Sequence, residues 1–224
     1  FLPVKKIFSV DPYTQTINPE HKVYIQLIDN KENIQAEVDL IKKLPKEAHV
    51  IVFSSSVVYA DPDSLYAKRK QFIEKLYTQA FQNLTILRVF NVYGPYQLPY
   101  RQGSLIANLF CNHLFGLSTK MHNLKLRRDF IFARDIGKFV EYIINKKIYG
   151  TYDIATGILN SLSDIIYYVE TILGRKLDIF IEPQKVIQGP TSHASTLLNI
   201  PTTPIIKGLQ ETWEFYKNPN VKRQ

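Results

Sequence analysis

The chain has 224 residues, of which 45% are hydrophobic, and it carries a formal net charge of +8. This length fits one domain, or a domain with a small appended lobe. No stretch approaches the roughly 20 consecutive apolar residues that a membrane-spanning helix requires, and the first residues lack a signal-peptide pattern. We therefore expect a soluble, cytoplasmic protein, in which the single cysteine, Cys111, forms no internal disulfide.

The positive charge favours anionic partners. The basic residues are scattered in short groups, such as Lys68-Arg69-Lys70 and Arg127-Arg128, and no zinc-ligand spacing or aromatic-and-basic motif accompanies them. We therefore expect no nucleic acid, no membrane and no metal ion as partner. A phosphate-bearing small molecule suits the same charge, because one or two well-placed arginines can bind it.

Short apolar runs alternate with segments of helical period, which predicts an α/β fold with a parallel sheet. The first part of the chain predicts, in order, a strand at 23–28, a helix at 32–44, a strand at 49–54, a helix at 66–82 and a strand at 84–90. After Gly94-Pro95 the pattern loosens, which indicates a boundary between β-α-β units and a mixed, smaller lobe. The lobe predicts helices at 104–115, 136–145, 161–173 and 204–216, and strands at 129–132, 151–155 and 177–181.

The chemistry is concentrated where three consecutive serines, Ser54–Ser56, follow a buried strand and precede Tyr66 and Lys70. The four-residue spacing places Tyr66 and Lys70 on one helix face, and parallel strands present their carboxyl ends to the ligand crevice. Tyrosine has an ordinary pKa of about 10, so a base near pH 7 requires a drop of roughly 3 units, or about 4 kcal/mol. A lysine ammonium and the positive ring of an oxidised nicotinamide can supply that drop.

Spacing alone is weak evidence. A second Tyr-x-x-x-Lys pair, Tyr142 and Lys146, lies on another predicted helix with no serine-tipped strand before it. Either pair by itself is more often an ordinary amphipathic helix face. The order of apolar strand, three serines, Tyr66 with Lys70 and a second buried strand distinguishes the first pair.

Several blocks resemble, in the right order, the signatures of the extended short-chain dehydrogenases/reductases that modify nucleotide-activated sugars. They are IVFSSSVVY (51–59), YAKRK (66–70), LRVFNVYGP (87–95), RRDFIFARD (127–135), GTYDIATG (150–157) with Ser161-Leu162, and GLQETWEFYK (208–217). The resemblance implies a partial Rossmann-like, doubly wound parallel sheet in residues 1–95. It implies a substrate-binding lobe in residues 96–224, with some segments returning to the sheet.

The resemblance also implies a role for each matching residue. Tyr66 would be the acid/base, Lys70 would bind the nicotinamide ribose and lower the tyrosine pKa, and Ser55 would be the hydroxyl partner. Contacts to NAD or NADP are implied for Ser54, Tyr66, Lys70, Phe90 and Val92. Contacts to the sugar and its diphosphate are implied for Ser56, Asn91 and Arg128, since a guanidinium fork suits phosphate geometry.

Some of these residues also have plainer interpretations. Asn91 suits a turn, and Arg128 could be a surface charge. Asp29 and Asp135 suit helix caps, the latter for a helix that starts at Ile136. Cys111 lies in an apolar helical run and is expected to pack in the core.

The sequence departs from the family at its start, because no glycine precedes Gly94, whereas the family opens with a glycine-rich loop that binds the pyrophosphate. The simplest explanation is that an amino-terminal segment is missing from this chain. The resemblance to sugar-nucleotide dehydratases is also incomplete, since Ser56 and Val57 stand where those enzymes carry an Asp-Glu pair.

The sequence therefore predicts an NAD(P)-dependent epimerase or keto/alcohol oxidoreductase of a nucleotide-sugar, and by resemblance a homodimer. The alternative is a non-catalytic relative that binds a ligand or partner and has lost the dinucleotide site.

Overall fold

The computed structural model describes residues 17–27, 34–101, 104–182, 194, 198–218 and 220. Its elements in chain order are β1 (Val23–Leu27), α1 (Ile34–Lys43), β2 (His49–Ser55), α2 (Val57–Ala60), α3 (Leu65–Ala80), β3 (Leu84–Val89), β4 (Asn91–Tyr93), α4 (Leu105–Phe115), β5 (Thr119–Met121), β6 (Arg127–Phe132), α5 (Ala133–Lys146), β7 (Gly150–Ile154), β8 (Leu159–Ser161), α6 (Leu162–Leu173), β9 (Ile179–Ile181) and α7 (Ile205–Lys217).

The chain divides into two compact units. Unit 1 comprises Phe1–Val89 and Lys138–Ile154, and unit 2 comprises Phe90–Gly137 and Ala155–Gln224. Residues 90–95, which the sequence analysis placed in the first domain, lie in unit 2, and the division runs through α5.

Unit 1 contains a four-stranded sheet in the order β1-β2-β3-β7, in which all neighbours are parallel. Val50, Ile51 and Val52 are completely buried, because strands of a parallel sheet covered on both faces carry apolar side chains in both directions. The core includes Leu40 of α1 and Ile73 of α3 with alternate residues of β2. The predicted α/β, Rossmann-like fold is thus confirmed.

Unit 2 combines a three-stranded sheet, ordered β4-β6-β8, with a two-stranded β5-β9 pair. Strand β6 pairs parallel with β4 and antiparallel with β8. The unit's core joins α4, α6 and α7 to aromatic residues of the strands, among them Tyr93 and Phe132. A capping box between Ser161 and Asp164 starts α6, and Gly174 ends it in the left-handed conformation.

The elements that the sequence analysis missed are α2, β4, β5 and β8, each three or four residues long. Such segments are too short to show a helical or strand period. The prediction for Asp135 was wrong: α5 starts at Ala133, and the buried Asp135 accepts hydrogen bonds from the Thr203 amide at 2.6 Å and the Thr203 hydroxyl at 2.9 Å. Asp29 lies outside the described residues. Cys111 is completely buried, as expected.

Candidate functional site

The three serines end β2 and begin the next turn, and each has a different environment. Ser54 is buried, and its hydroxyl has no hydrogen-bond partner among the described residues. The Ser55 hydroxyl accepts a bond from the Val57 amide at 3.2 Å. The Ser56 amide donates to the Val89 carbonyl at 3.0 Å, which ties the start of α2 to the end of β3. A buried, unsatisfied hydroxyl is uncommon and is a candidate contact for a ligand.

Helix α3 brings Tyr66 and Lys70 to this strand end. Its N-cap is Ser64, whose hydroxyl accepts a bond from the Ala67 amide at 3.2 Å, so Tyr66 falls in the first turn and Lys70 one turn later. Tyr66 is 37% exposed, whereas Lys70 is only 5% exposed. The Tyr66 side chain is therefore partly accessible to a ligand, whereas Lys70 is buried.

In unit 1, the structure places Tyr66 near both Ser55 and Lys70. The Lys70 Nζ lies 5.3 Å from the centroid of the Tyr66 ring. Burial raises the pKa of Tyr66 above its ordinary value, and the nearby Ser55 side chain lowers that pKa in part. In the protein alone the phenol is thus protonated near neutral pH and can donate a proton to a bound oxygen.

The remaining predicted site residues lie in unit 2. The side-chain nitrogen of Asn91, on β4, donates to the backbone carbonyl of Asp129 at 2.9 Å. The side-chain oxygen of Asn91 has no bond of its own among the described residues and can accept one. Arg128, on β6, is partly buried, and this burial lowers the pKa of its guanidinium. Phe90 is buried directly before β4, and Val92 is partly buried within it.

Asp129 is a buried carboxylate of unit 2 that sequence reasoning assigned no role. It accepts bonds from the Thr156 amide at 2.9 Å, the Thr156 hydroxyl at 2.8 Å and the Gly157 amide at 2.7 Å. Burial raises the pKa of Asp129, and these three bonds oppose that rise. Asp129 therefore anchors the segment after β7. Along β6 it follows Arg128 and precedes Phe130, the first residue that pairs with β4.

Sequence reasoning also missed a chain of polar side chains in unit 1: Glu74, Arg88, Tyr59 and Asp153. A signal was present, because Glu74 follows Lys70 by one helical turn and Arg88 and Tyr59 lie within the quoted sequence blocks. Nothing in one sequence shows that these distant positions meet.

A scan against protein-family models matches residues 29–155 to the NAD dependent epimerase/dehydratase family. No curated protein sequence matches the chain significantly. Within the described residues, no helix is both long and apolar enough to cross a membrane.

Solved structures share the fold. A dTDP-glucose 4,6-dehydratase from Bacillus anthracis, solved with NAD, has a TM-score of 0.72 and 20% identity, over 89% of this chain and 73% of that one. A UDP-glucose 4-epimerase from Thermus thermophilus, also with NAD, has a TM-score of 0.71 and 18% identity, over 83% and 70%. A UDP-N-acetylglucosamine 4-epimerase from Methanobrevibacter ruminantium, in complex with UDP-N-acetylmuramic acid, has a TM-score of 0.69 and 22% identity, over 84% and 69%.

Proposed function

The chain belongs to the NAD dependent epimerase/dehydratase family, whose model matches more than half of it, and from this premise we propose that it is an NAD(P)-dependent epimerase or keto/alcohol oxidoreductase of a nucleotide-sugar. The match confirms the resemblance seen in the sequence. The observation that carries the proposal is the meeting of Ser55, Tyr66 and Lys70 at the carboxyl end of β2.

Each of the three side chains has a distinct task in this proposal. Tyr66 exchanges a proton with the hydroxyl or carbonyl oxygen of the sugar, since it is the accessible member of the cluster. Ser55, whose side chain influences the pKa of Tyr66, orients the same sugar oxygen with its hydroxyl. Lys70 places a positive charge beside the phenol, which favours the phenolate over the phenol.

The residues of unit 1 fit the nicotinamide end of a dinucleotide. The buried Ser54 hydroxyl is an unsatisfied group beside the cluster, and the Lys70 ammonium can bond ribose hydroxyls. Bound beside Ser54 and Lys70, NAD or NADP would supply a reversible hydride acceptor for the sugar. Two of the similar structures named above were solved with NAD, and the third contains a UDP-linked sugar, which supports the choice of ligands.

In unit 2 we assign substrate contacts to Asn91 and Arg128. The substrate contact that the resemblance implies for Ser56 is a separate assignment within unit 1. The Asn91 side-chain oxygen can accept a bond from a sugar hydroxyl, and the Arg128 guanidinium can bind two phosphate oxygens at once. Dehydration is disfavoured, because Ser56 and Val57 stand where sugar-nucleotide dehydratases carry an acidic pair, and Val57 can neither give nor take a proton.

The experiment incubates the purified chain with NAD or NADP and, in turn, UDP-glucose, UDP-N-acetylglucosamine and dTDP-glucose. Nicotinamide absorbance reports hydride transfer, and chromatography of the sugar-nucleotides reports epimers. We expect turnover with at least one pair and a loss of about 100-fold or more in Tyr66→Phe, within the range for a lost general acid/base.

Tyr142→Phe is the matched control, because it removes the same hydroxyl from the other Tyr-x-x-x-Lys pair. It should keep activity. Turnover that survives Tyr66→Phe would contradict the assignment. Binding of a sugar-nucleotide without NAD(P) and without turnover would favour the non-catalytic relative.

The homodimer, which the resemblance implies, and the cytoplasmic location both stay predictions. Light scattering of the purified chain tests the first. A mass corresponding to one chain at micromolar concentration would contradict it.

A further inference from the structure

A buried ionic group lies beside the candidate site of unit 1, and we call it the Arg88 network. Both carboxylate oxygens of Glu74 accept bonds from Arg88, one from Nε at 3.1 Å and one from Nη2 at 2.7 Å. Arg88 Nη1 also donates to the Tyr59 hydroxyl at 2.7 Å, and that hydroxyl donates to Asp153 at 3.1 Å. The Arg88 guanidinium thus uses all three of its nitrogens.

The Arg88 network connects the two elements that carry the candidate site. Glu74 lies on α3, one turn after Lys70, and is buried like Lys70. Arg88 lies on β3 opposite Ser54 of β2, and the next residue of β3 is opposite Ser55. One end of the ion pair is therefore fixed to the helix of Tyr66 and Lys70. The other end is fixed to β3, which pairs with β2, the strand that ends at Ser55.

This geometry is more specific than a simple charge pair. The side chains of Glu74 and Arg88 are 8% and 23% exposed, so water screens their attraction weakly. The hydrogen bond from Arg88 to Glu74 is the main cause that raises the pKa of the guanidinium. A planar fork on two oxygens fixes an angle as well as a distance, and the Arg88 guanidinium also lies 4.9 Å from the centroid of the Tyr59 ring.

We propose that Arg88 is a positioning residue for Tyr66: by holding both oxygens of Glu74 it fixes α3 against β2 and β3, and it keeps Glu74 from attracting the Lys70 ammonium away from the Tyr66 ring. The inference rests on the proposed function, in which Tyr66 exchanges the proton. Lys70 and Glu74 are four residues apart on one helix face, a spacing at which opposite charges attract. Without its two hydrogen bonds from Arg88, the Glu74 carboxylate would attract the Lys70 ammonium away from Tyr66.

The test measures the ionisation of Tyr66 directly, without cofactor or sugar. Difluorotyrosine is incorporated in place of Tyr66, and fluorine NMR follows its single phenol, whose ordinary pKa the fluorines bring toward neutral pH. Arg88→Lys keeps the charge but cannot reproduce the fork together with the bond to Tyr59. We expect the titration midpoint to move to higher pH in Arg88→Lys, because Lys70 spends less time beside the phenol.

Adding Glu74→Gln to Arg88→Lys removes the competing carboxylate, so the midpoint should return toward that of the unsubstituted network. Glu74→Gln alone gives the reference for the plain loss of a negative charge. The proposal requires the effect of Glu74→Gln to be larger in the Arg88→Lys background. Equal effects in both backgrounds would mean that charge alone acts, and would overturn it.

Tyr77→Phe is the matched control on the same helix, because it removes a buried hydroxyl bond from α3 to Glu37 of α1, 2.9 Å long. It should lower the unfolding temperature and leave the Tyr66 midpoint in place. If the Tyr66 midpoint moves no further in Arg88→Lys than in Tyr77→Phe, Arg88 has only a structural role and the proposal is wrong.

Tyr59→Phe serves if Arg88→Lys does not fold, because it removes only the hydroxyl between Arg88 and Asp153. It should raise the midpoint by a smaller amount, and no movement would overturn the proposal. Since the titration contains neither NAD(P) nor a sugar, a chain that fails every turnover assay still shows whether Arg88 sets the environment of Tyr66.

Discussion

Both units bury carboxylates, but they pair them with different kinds of partner. In unit 1, Glu74 bonds the side chain of Arg88. In unit 2, Asp129 bonds backbone amides at Thr156 and Gly157, and Asp135 bonds the backbone and hydroxyl of Thr203. The side-chain pair of unit 1 joins the helix α3 to the strand β3. The carboxylates of unit 2, which accept bonds from backbone amides, fix connecting segments of the chain.

The largest expected loss of stability follows from breaking the Glu74–Arg88 pair of unit 1. Arg88→Met leaves the buried Glu74 without its fork, so we expect the free energy of unfolding to fall by about 3 kcal/mol, as for other buried pairs that lose one partner. Arg134→Met, which breaks the 2.8 Å pair with Glu211 in unit 2, is the matched control. Because the Arg134 side chain is 65% exposed, its loss should cost less than about 1 kcal/mol. Urea unfolding measures both, and equal losses would contradict the contrast.

The next effect concerns packing in unit 2. Gly208 lies on α7 where an added methyl would overlap the hydroxyl of Tyr93 and lie 3.1 Å from a ring carbon of Phe132. Gly208→Ala should therefore destabilise the protein by about 1–3 kcal/mol through overpacking. Gly137, on α5, has open space around the same position, so Gly137→Ala should stabilise by about 0.5–1 kcal/mol. Thermal unfolding compares the two, and a stable Gly208→Ala protein would show that Tyr93 can move aside.

The smallest effect is a pH dependence carried by His49 of unit 1. Its ring nitrogen contacts the Thr85 hydroxyl at 2.7 Å, and burial lowers the pKa of His49 below its ordinary value. A lowered folded pKa favours the neutral ring, so this stability is present above the unfolded pKa of about 6.5 and is lost as the pH falls from there through the folded pKa. His49→Gln should flatten the decrease in unfolding temperature between about pH 7.5 and pH 5.5.

In unit 2, His113 is a histidine whose pKa is lowered in the same direction as that of His49. Burial and, secondarily, Arg175 lower the pKa of His113 on α4, so His113→Gln should remove a separate share of the same dependence. The two single variants and their combination divide the effect between the units. A wild-type slope in His49→Gln would contradict the role given to burial at this position.

Much of the fold was readable from local patterns. The uninterrupted apolar run at 50–53 predicts a buried parallel strand, and the structure confirms it as the centre of β2. The helix of Tyr66 and Lys70 was predicted within two residues of its bounds. The predicted start of α5 was wrong. An aspartate suits a helix cap by its chemistry, but Asp135 lies inside the helix and binds Thr203, which is distant along the chain. Short strands such as β4 exist because a neighbouring strand pairs with them, which no local pattern records.

The candidate site divides in the same way. Residue types and their order along the chain indicated Tyr66, Lys70 and the three serines, because a cation beside a phenol favours its ionised form. The family resemblance then selected Ser55 among the serines. Their roles stay predictions until turnover is measured.

The sequence by itself determined the apolar periods, the order of strands and helices, and the residues able to carry the chemistry, since these depend on neighbours along the chain. Only the tertiary structure decided that Glu74 meets Arg88, that Arg88 reaches Tyr59 and that Asp135 holds Thr203. Those contacts join residues up to 68 positions apart. An unpaired charge in a desolvated position is costly, so a buried charge must lie beside a partner in the folded chain. That partner can be far away in the sequence.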